Sequence, residues 1–170
     1  WDDCIAYHKA AGVPYLVMSW SQPLQTKAQM SVMAAYLDAI GAKCRAEGIR
    51  FGYHCHSHEY RQVDGTTMID TFLTETKPEN VFLQMDVYWA VMAGVSPVEY
   101  MNKYPGRYEL LHIKDKYELG ESGMVGFDAI FRNFQRAGTK GFVVELEQAS
   151  TPNILQGLRK SALYLRNASF

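Results

Sequence analysis

Short apolar runs alternate with longer amphipathic stretches along the chain. The runs predict buried strands near residues 15–20, 50–55, 81–86, 108–113 and 141–146. The stretches between them predict helices over residues 2–11, 26–47, 66–74, 97–103, 127–137 and 153–166. The helix over 26–47 has the clearest pattern, because Thr26 can cap its start, Gly48 can close it, and its apolar residues recur three and four positions apart.

The predicted strands begin about 28 to 35 residues apart. Strands that alternate with helices at this period indicate right-handed βαβ units and a parallel sheet. A (β/α)8 barrel uses about 31 residues per unit, so the chain holds about five of the eight units. A doubly wound open sheet has a similar period, but no GxGxxG follows the first strand. The pattern therefore favours a partial (β/α)8 barrel.

Composition and charge narrow the classes of function. The chain has 170 residues, 48% of them hydrophobic and 21% charged, which is typical of one globular domain and excludes a disordered chain. The 17 Lys and Arg nearly balance the 18 Asp and Glu, so no nucleic-acid partner is expected. No apolar run approaches the length of a membrane span. The three cysteines lack a CxxC spacing, which argues against a disulfide framework or a thiolate zinc site.

Polar side chains occur in pairs at the C-terminal ends of four predicted strands. Because residues two apart share a face of a strand, each pair points to one side: His54 with His56, Gln84 with Asp86, His112 with Lys114, and Glu145 with Glu147. Barrel enzymes place their chemistry at this end of the strands. Each residue alone has an ordinary structural explanation, but together they predict a divalent metal site. Its predicted ligands are His54, Asp86, His112 and Glu145.

These residues also carry a resemblance to a known family. Residues 51–59 (FGYHCHSHE) resemble the FGYHNHxxE run of the xylose isomerase-like barrel superfamily, the sugar phosphate isomerase/epimerase group. Further segments are similar to that group's DxxW…AGxDP, PGR…HxKD, Gly-rich-loop and vvExE motifs, namely residues 86–97, 105–115, 120–127 and 143–147. The resemblance covers nearly the whole chain in order.

The resemblance implies that residues 1–170 form a single domain, the C-terminal portion of a TIM barrel. About three N-terminal βα units would come from further sequence, another chain or a swapped neighbour, so a homo-oligomer is one expectation. A five-stranded piece alone would expose two sheet edges and is expected to be unstable. The resemblance also implies a catalytic Mn, Zn or Mg ion. His54 stands where related members carry Glu, and Trp89 where many carry His.

The activity implied is that of a sugar isomerase or epimerase, which removes a proton beside a carbonyl and forms an enediolate. The small-molecule partner would be a sugar or sugar derivative. Candidate bases are Glu147, Glu59 and His56, and Lys114 would stabilise the enediolate or hold a substrate oxygen. Candidate sugar contacts are Tyr53, Tyr88, Trp89 and Arg107.

Other functions stay open from the sequence. One is a dehydratase or lyase acting on a sugar derivative, or a barrel that binds a sugar without turnover; the residues at positions 54 and 89 favour keeping it. A DNA-repair phosphodiesterase shares the fold but needs a three-zinc cluster, for which five histidines are few. A purely structural role is the remaining alternative.

Overall fold

A computed structural model describes all 170 residues, Trp1–Phe170. Five strands lie in one sheet in chain order: β1 (Tyr15–Met18), β2 (Arg50–Cys55), β3 (Val81–Asp86), β4 (Leu110–Lys114) and β5 (Gly141–Glu145). The helices are α1 (Asp2–Ala10), α2 (Lys27–Ala46), α3 (Met68–Glu75), α4 (Val87–Met92), α5 (Pro97–Lys103), α6 (Phe127–Arg132), α7 (Phe134–Ala137) and α8 (Ile154–Asn167). A 3-10 turn spans His58–Tyr60. No helix is both long and apolar enough to cross a membrane.

The strands pair in parallel with a simple register. Tyr15 lies opposite Arg50 at the start of the β1–β2 pair, and Lys114 lies opposite Glu145 at the end of the β4–β5 pair. The C-terminal ends of the strands in each pair therefore meet at one edge, as the sequence pattern predicted. β1 and β5 are the first and last strands of the sheet.

The predicted and observed elements differ at strand ends and in two helical segments. β1 ends at Met18 and β4 starts at Leu110, small shifts of the kind that strand ends commonly show. The single helix predicted over 127–137 is two helices, because Asn133 leaves helical geometry and its Nδ2 donates to Ala129 O at 2.8 Å. α4 was not predicted.

Contacts divide the chain into two compact units, and Trp1–Gln84 is the first. Its longest helix, α2, begins where the sequence indicated, with Thr26 Oγ1 accepting from Gln29 N at 3.2 Å. Met30, Leu37 and Cys44 on its apolar stripe are fully buried. The stripe packs on α3 and β2, so the core of this unit lies between the helices and the sheet.

Gly41, in the middle of α2, allows this close packing. A Cβ atom there would lie 2.3 Å from the backbone oxygen of Asn80. We expect Gly41→Ala to lower the free energy of unfolding by about 1–3 kcal/mol despite its better helix propensity, because a backbone atom must move. Denaturant titration measures the loss. The matched control is Gly126→Ala, where nothing lies within 4 Å of the new Cβ, and a similar loss there would contradict the packing explanation.

The second unit, Met85–Phe170, contains the end of β3, β4, β5 and the loops that follow them. Phe131 is the centre of its aromatic packing, with ring centroids 4.6 Å from Phe134 and 4.5 Å from Phe170. Asp115, directly after β4, is buried and organises the following loop by accepting from Gly120 N at 3.0 Å and from Ser122 Oγ. The strand ends of this unit are thus followed by braced loops.

Candidate metal centre

Asp86 is the last residue of β3 and the N-cap of α4. Its Oδ1 accepts a hydrogen bond from Trp89 N at 2.9 Å, which is the ordinary capping interaction. Its Oδ2 is buried, accepts no hydrogen bond, and lies 3.9 Å from His112 Nδ1. A buried carboxylate oxygen without a donor is costly unless a cation neutralises it.

Burial raises the pKa of Asp86 to about 7. The negative charge of Glu145 contributes to this rise, whereas the hydrogen bond from Trp89 N and the positive charge of Lys114 oppose it. The fold therefore holds this carboxyl where its charged form is unfavourable without a nearby cation.

His112 and Glu145 come from the neighbouring strands β4 and β5. Glu145 pairs in register with Lys114, and Val143 pairs with His112. Partners in a parallel pair share a face, so His112, Lys114 and Glu145 point to the same side of the sheet. His112 Nδ1 lies 2.7 Å from Glu145 Oε2.

The ligand atoms of Asp86, His112 and Glu145 all lie within 4.8 Å of one another. One imidazole nitrogen and two carboxylates are a donor set that zinc and manganese accept. The buried Oδ2 of Asp86, which no donor reaches, is the atom that such an ion would satisfy. The side chains present therefore fit a divalent metal ion.

A second group of side chains lies beside these ligands in the same unit. Lys114 is buried, and its Nζ lies 3.0 Å from Oε2 of the half-exposed Glu147. The same Nζ lies 5.5 Å from the ring centre of Tyr88 and 5.9 Å from that of Trp89. Both aromatic residues are in the first turn of α4, so the capping of this helix by Asp86 also positions them.

In the first unit, three histidines lie at the end of β2 and just beyond it. His54 is buried, and its ring centre lies 4.6 Å from that of His56, which lies 6.1 Å from that of His58. Glu59 is fully buried and accepts from Tyr53 Oη at 2.8 Å and from His56 N at 2.8 Å. His56 directly follows the last residue of β2, so the closeness of the two rings, rather than strand parity, groups it with His54.

Tyr53 and Arg107 are placed differently from the other predicted sugar contacts. Tyr53 is fully buried, hydrogen-bonded to Glu59, 2.7 Å from Ser21 Oγ, and packed edge-on against Phe72 of α3. Arg107 precedes the first residue of β4, at the opposite end of the strand from His112 and Lys114. We therefore assign Tyr53 and Glu59 to the hydrogen-bonded core and Arg107 to the far end of the strand. We propose neither a sugar contact for Tyr53 or Arg107 nor a role as base for the fully buried Glu59.

Sequence reasoning missed the helix that follows Asp86. Asp86 followed by the apolar run Val87–Met92 is a recognisable N-cap signal. Strand parity treats Asp86 only as the end of a strand, and so it does not predict the helix. The buried carboxylate of Glu118 was also not identified from the sequence, because its hydrogen-bond partners lie more than 30 residues away along the chain.

Comparison with known proteins agrees with this geometry. The sequence profile of the xylose isomerase-like TIM barrel family matches residues 1–168. This chain belongs to that family. The prediction of a partial (β/α)8 barrel of this type is thereby confirmed, and the strand order agrees with it.

Solved structures and curated relatives add detail. A sugar phosphate isomerase/epimerase from Parabacteroides distasonis is 34% identical with a TM-score of 0.95, covering 99% of this chain and 64% of that one. Inosose dehydratase from Lacticaseibacillus casei is 26% identical, covering 75% of this chain and 50% of the relative. The IOLI protein, solved with a bound zinc atom, is 15% identical with a TM-score of 0.70, covering 99% of this chain and 69% of that one; it shares the fold.

The chain spans about half the length of the curated relatives that it matches. Its fold is that of sugar isomerases and epimerases, and its relatives are enzymes.

Proposed function

We propose that the protein removes a proton from the carbon beside a carbonyl in a sugar or sugar derivative, and so isomerises or epimerises it. The observation that supports this most directly is the convergence of Asp86, His112 and Glu145 next to the Lys114–Glu147 ion pair. The first group can hold a divalent cation, and the second can move a proton and hold an oxygen.

Asp86, His112 and Glu145 would hold a divalent ion, which would be Mn, Zn or Mg. We propose His54 as the fourth ligand, because its buried imidazole lies at the C-terminal end of β2, the end of a strand at which barrel enzymes place their chemistry. When bound, the cation would stabilise negative charge that develops on the substrate carbonyl oxygen.

Glu147 is the proposed base. Its carboxylate is half-exposed, so a substrate can reach it, and its pairing with Lys114 Nζ orients it. Lys114 would hold a substrate oxygen through the protons that Glu147 does not use. His56 is the proposed second acid or base, because its ring centre lies 4.6 Å from that of His54, the proposed fourth ligand.

Tyr88 and Trp89 would provide the surface for the sugar. Their ring centres lie 5.1 Å apart, and each lies within 6 Å of Lys114 Nζ. Aromatic faces stack on the apolar C–H face of a sugar while the polar groups contact its hydroxyls. Trp89 offers no acid or base, which fits a site whose proton transfer depends on other side chains.

A dehydratase is the second candidate, favoured by the curated relatives named inosose dehydratase. Such a reaction starts with the same proton removal beside a carbonyl, after which a hydroxyl leaves from the adjacent carbon as water. The same side chains would serve both reactions. The fate of that hydroxyl therefore separates the two candidates.

Proton exchange in D2O tests this proposal. We expect the metal-loaded protein to wash deuterium into a ketose or into inosose, and Glu147→Gln to slow the exchange about 10²–10⁴-fold because it removes the base. Mass spectrometry and NMR measure deuterium and product together. Glu121→Gln is the control, because that carboxylate pairs with exposed Lys160 at the surface.

The products distinguish the possible activities. A rearranged or epimerised sugar supports the isomerase, and loss of water supports the dehydratase. Binding of the sugars without any exchange would indicate the sugar-binding barrel and overturn both catalytic proposals.

A further inference from the structure

Glu118 is a fully buried carboxylate in the loop after β4. Its Oε1 accepts from Ser150 N at 3.0 Å and from Thr151 Oγ1 at 3.1 Å, and its Oε2 accepts from Ser150 Oγ at 2.6 Å. Thr151 N also donates to Oε1 at 3.3 Å. Four donors from two adjacent residues thus satisfy one buried charge, which is what a buried carboxylate requires.

The residues that Glu118 binds belong to the loop between β5 and α8. This loop starts after Glu145 and ends at Asn153, the N-cap of α8. Glu147 lies in its first half, three residues before Ser150. The loop has no strand partner of its own, so its position depends on contacts such as these.

The start of α8 is built closely around the same carboxylate. At Gly157, a Cβ atom would lie 2.9 Å from Glu118 Oε1 and 2.8 Å from the Leu146 side chain. Leu119 N, next to Glu118, donates to Ser161 Oγ of α8 at 3.1 Å. The loop after β4 is therefore fixed to the second half of the loop that carries Glu147 and to α8.

We propose that Glu118 is a positioning residue that holds Glu147 in reach of Lys114 and the substrate, an inference that rests on the proposed function. Without its four hydrogen bonds, the loop from Leu146 to Thr151 would be free to move. Glu147 would then lose its fixed distance from the reacting carbon. A displacement of about 1 Å in a catalytic group can cost about 100-fold in rate.

The hydrogen-bond donors around Glu118 favour its charged form. Hydrogen bonding, first from Ser150 Oγ and also from Thr151, lowers the pKa of Glu118 to about 2. The carboxylate thus remains an acceptor for all four donors at any pH at which the protein would act.

Substitutions at Glu118 test the inference. We expect Glu118→Ala to lower kcat for deuterium exchange about 10–100-fold with KM changed less than about threefold, since the group does not touch substrate. Glu118→Gln should recover most of the loss, because the amide oxygen still accepts from the backbone and Ser150 Oγ can turn to accept. Glu121→Gln, three residues along the same loop, should leave kcat unchanged.

A double-mutant cycle separates positioning from general damage. In a Glu147→Gln background, Glu118→Ala should cause no further loss of kcat, because the base that it positions is already gone. An equal additional loss in that background would overturn the inference, since Glu118 would then act by another route.

Hydrogen–deuterium exchange of the backbone gives a readout that needs no activity. Amides of residues 146–152 should exchange faster in Glu118→Ala and unchanged in Glu121→Gln. Unchanged protection of this loop would overturn the inference even if the enzyme is active. If the wild type exchanges no sugar proton, the proposed function fails, and faster exchange of the loop would still support its anchoring by Glu118.

Discussion

Asp86→Asn is expected to weaken binding of a divalent metal ion at least about 100-fold. The change removes an anionic ligand. Loss of a residue that only hydrogen-bonds to a ligand already lowers metal affinity about 10–100-fold, so loss of a ligand should cost at least as much. Asparagine keeps an Oδ1 that can accept from Trp89 N, so the start of α4 should survive. Isothermal titration with Zn²⁺ or Mn²⁺, together with elemental analysis of the purified protein, measures the loss.

The pH dependence of that loss identifies its origin. Because the pKa of Asp86 is raised to about 7, a proton competes with the ion below pH 7 and no longer does so above it. The wild-type affinity should therefore fall by up to about tenfold between pH 7 and pH 6 through this carboxyl. The amide of the Asp86→Asn variant cannot bind that proton, so the difference between variant and wild type should be smaller at pH 6 than at pH 8.

Asp128→Asn provides the control, since Asp128 is an exposed residue in the first turn of α6. It should bind the ion as the wild type does. A wild-type protein that takes up no ion under any loading condition would contradict the metal centre. An Asp86→Asn variant with wild-type affinity would remove Asp86 from the ligand set.

The polar residues of the candidate centre could be predicted because they follow a local rule. Strand parity and the alternation of strands and helices place Asp86, His112 and Glu145 at one edge from their positions alone. The structure brings these three side chains together. Family motifs added the expected chemistry but were not needed for the placement.

The side chains that support the centre could not be predicted in the same way. Glu118 and Ser150 are 32 residues apart, and no periodicity links two loops. Likewise, the burial of Tyr53 depends on its contacts with Ser21, Glu59 and Phe72, which the topology brings together from three segments. A tyrosine in the sequence looks the same whether its ring contacts a sugar or packs against a helix. Only the packing of the folded chain distinguishes the two roles.

The break between α6 and α7 is a similar case. The apolar spacing of Ile130, Phe131 and Phe134 continues across Asn133, so the pattern predicts one helix. The side chain of Asn133 donates from Nδ2 to Ala129 O, the carbonyl that the backbone N–H of Asn133 would bind in a continuous helix. A hydrophobic pattern carries no signal for such a hydrogen bond.

Lys114→Met is expected to lower kcat for proton exchange about 10²–10³-fold while the protein remains folded. A preorganised donor aimed at developing negative charge is commonly worth this much. Methionine has nearly the length of lysine and can fill the same buried space beside Tyr88 and Trp89. Steady-state exchange kinetics give kcat and KM, and thermal denaturation reports folding.

Folding should tolerate this change for a physical reason. Replacing a buried ion with an apolar side chain of similar volume is often neutral for stability, provided that its partner is not left buried and unpaired. Glu147, the partner, is half-exposed and can be hydrated after the loss of Lys114 Nζ. A loss of activity without a loss of stability would therefore assign the ammonium group to chemistry.

Lys140→Met is the matched control for an ion pair away from the centre. Lys140 Nζ lies 2.9 Å from Oε1 of the buried Glu109, near the N-terminal ends of β4 and β5. This variant should keep full activity, because the pair lies at the opposite end of the strands from His112 and Glu145. If Lys114→Met instead keeps kcat within about threefold and lowers the melting temperature, the lysine is a structural partner of Glu147, and the proposed stabilisation of the enediolate must come from other groups.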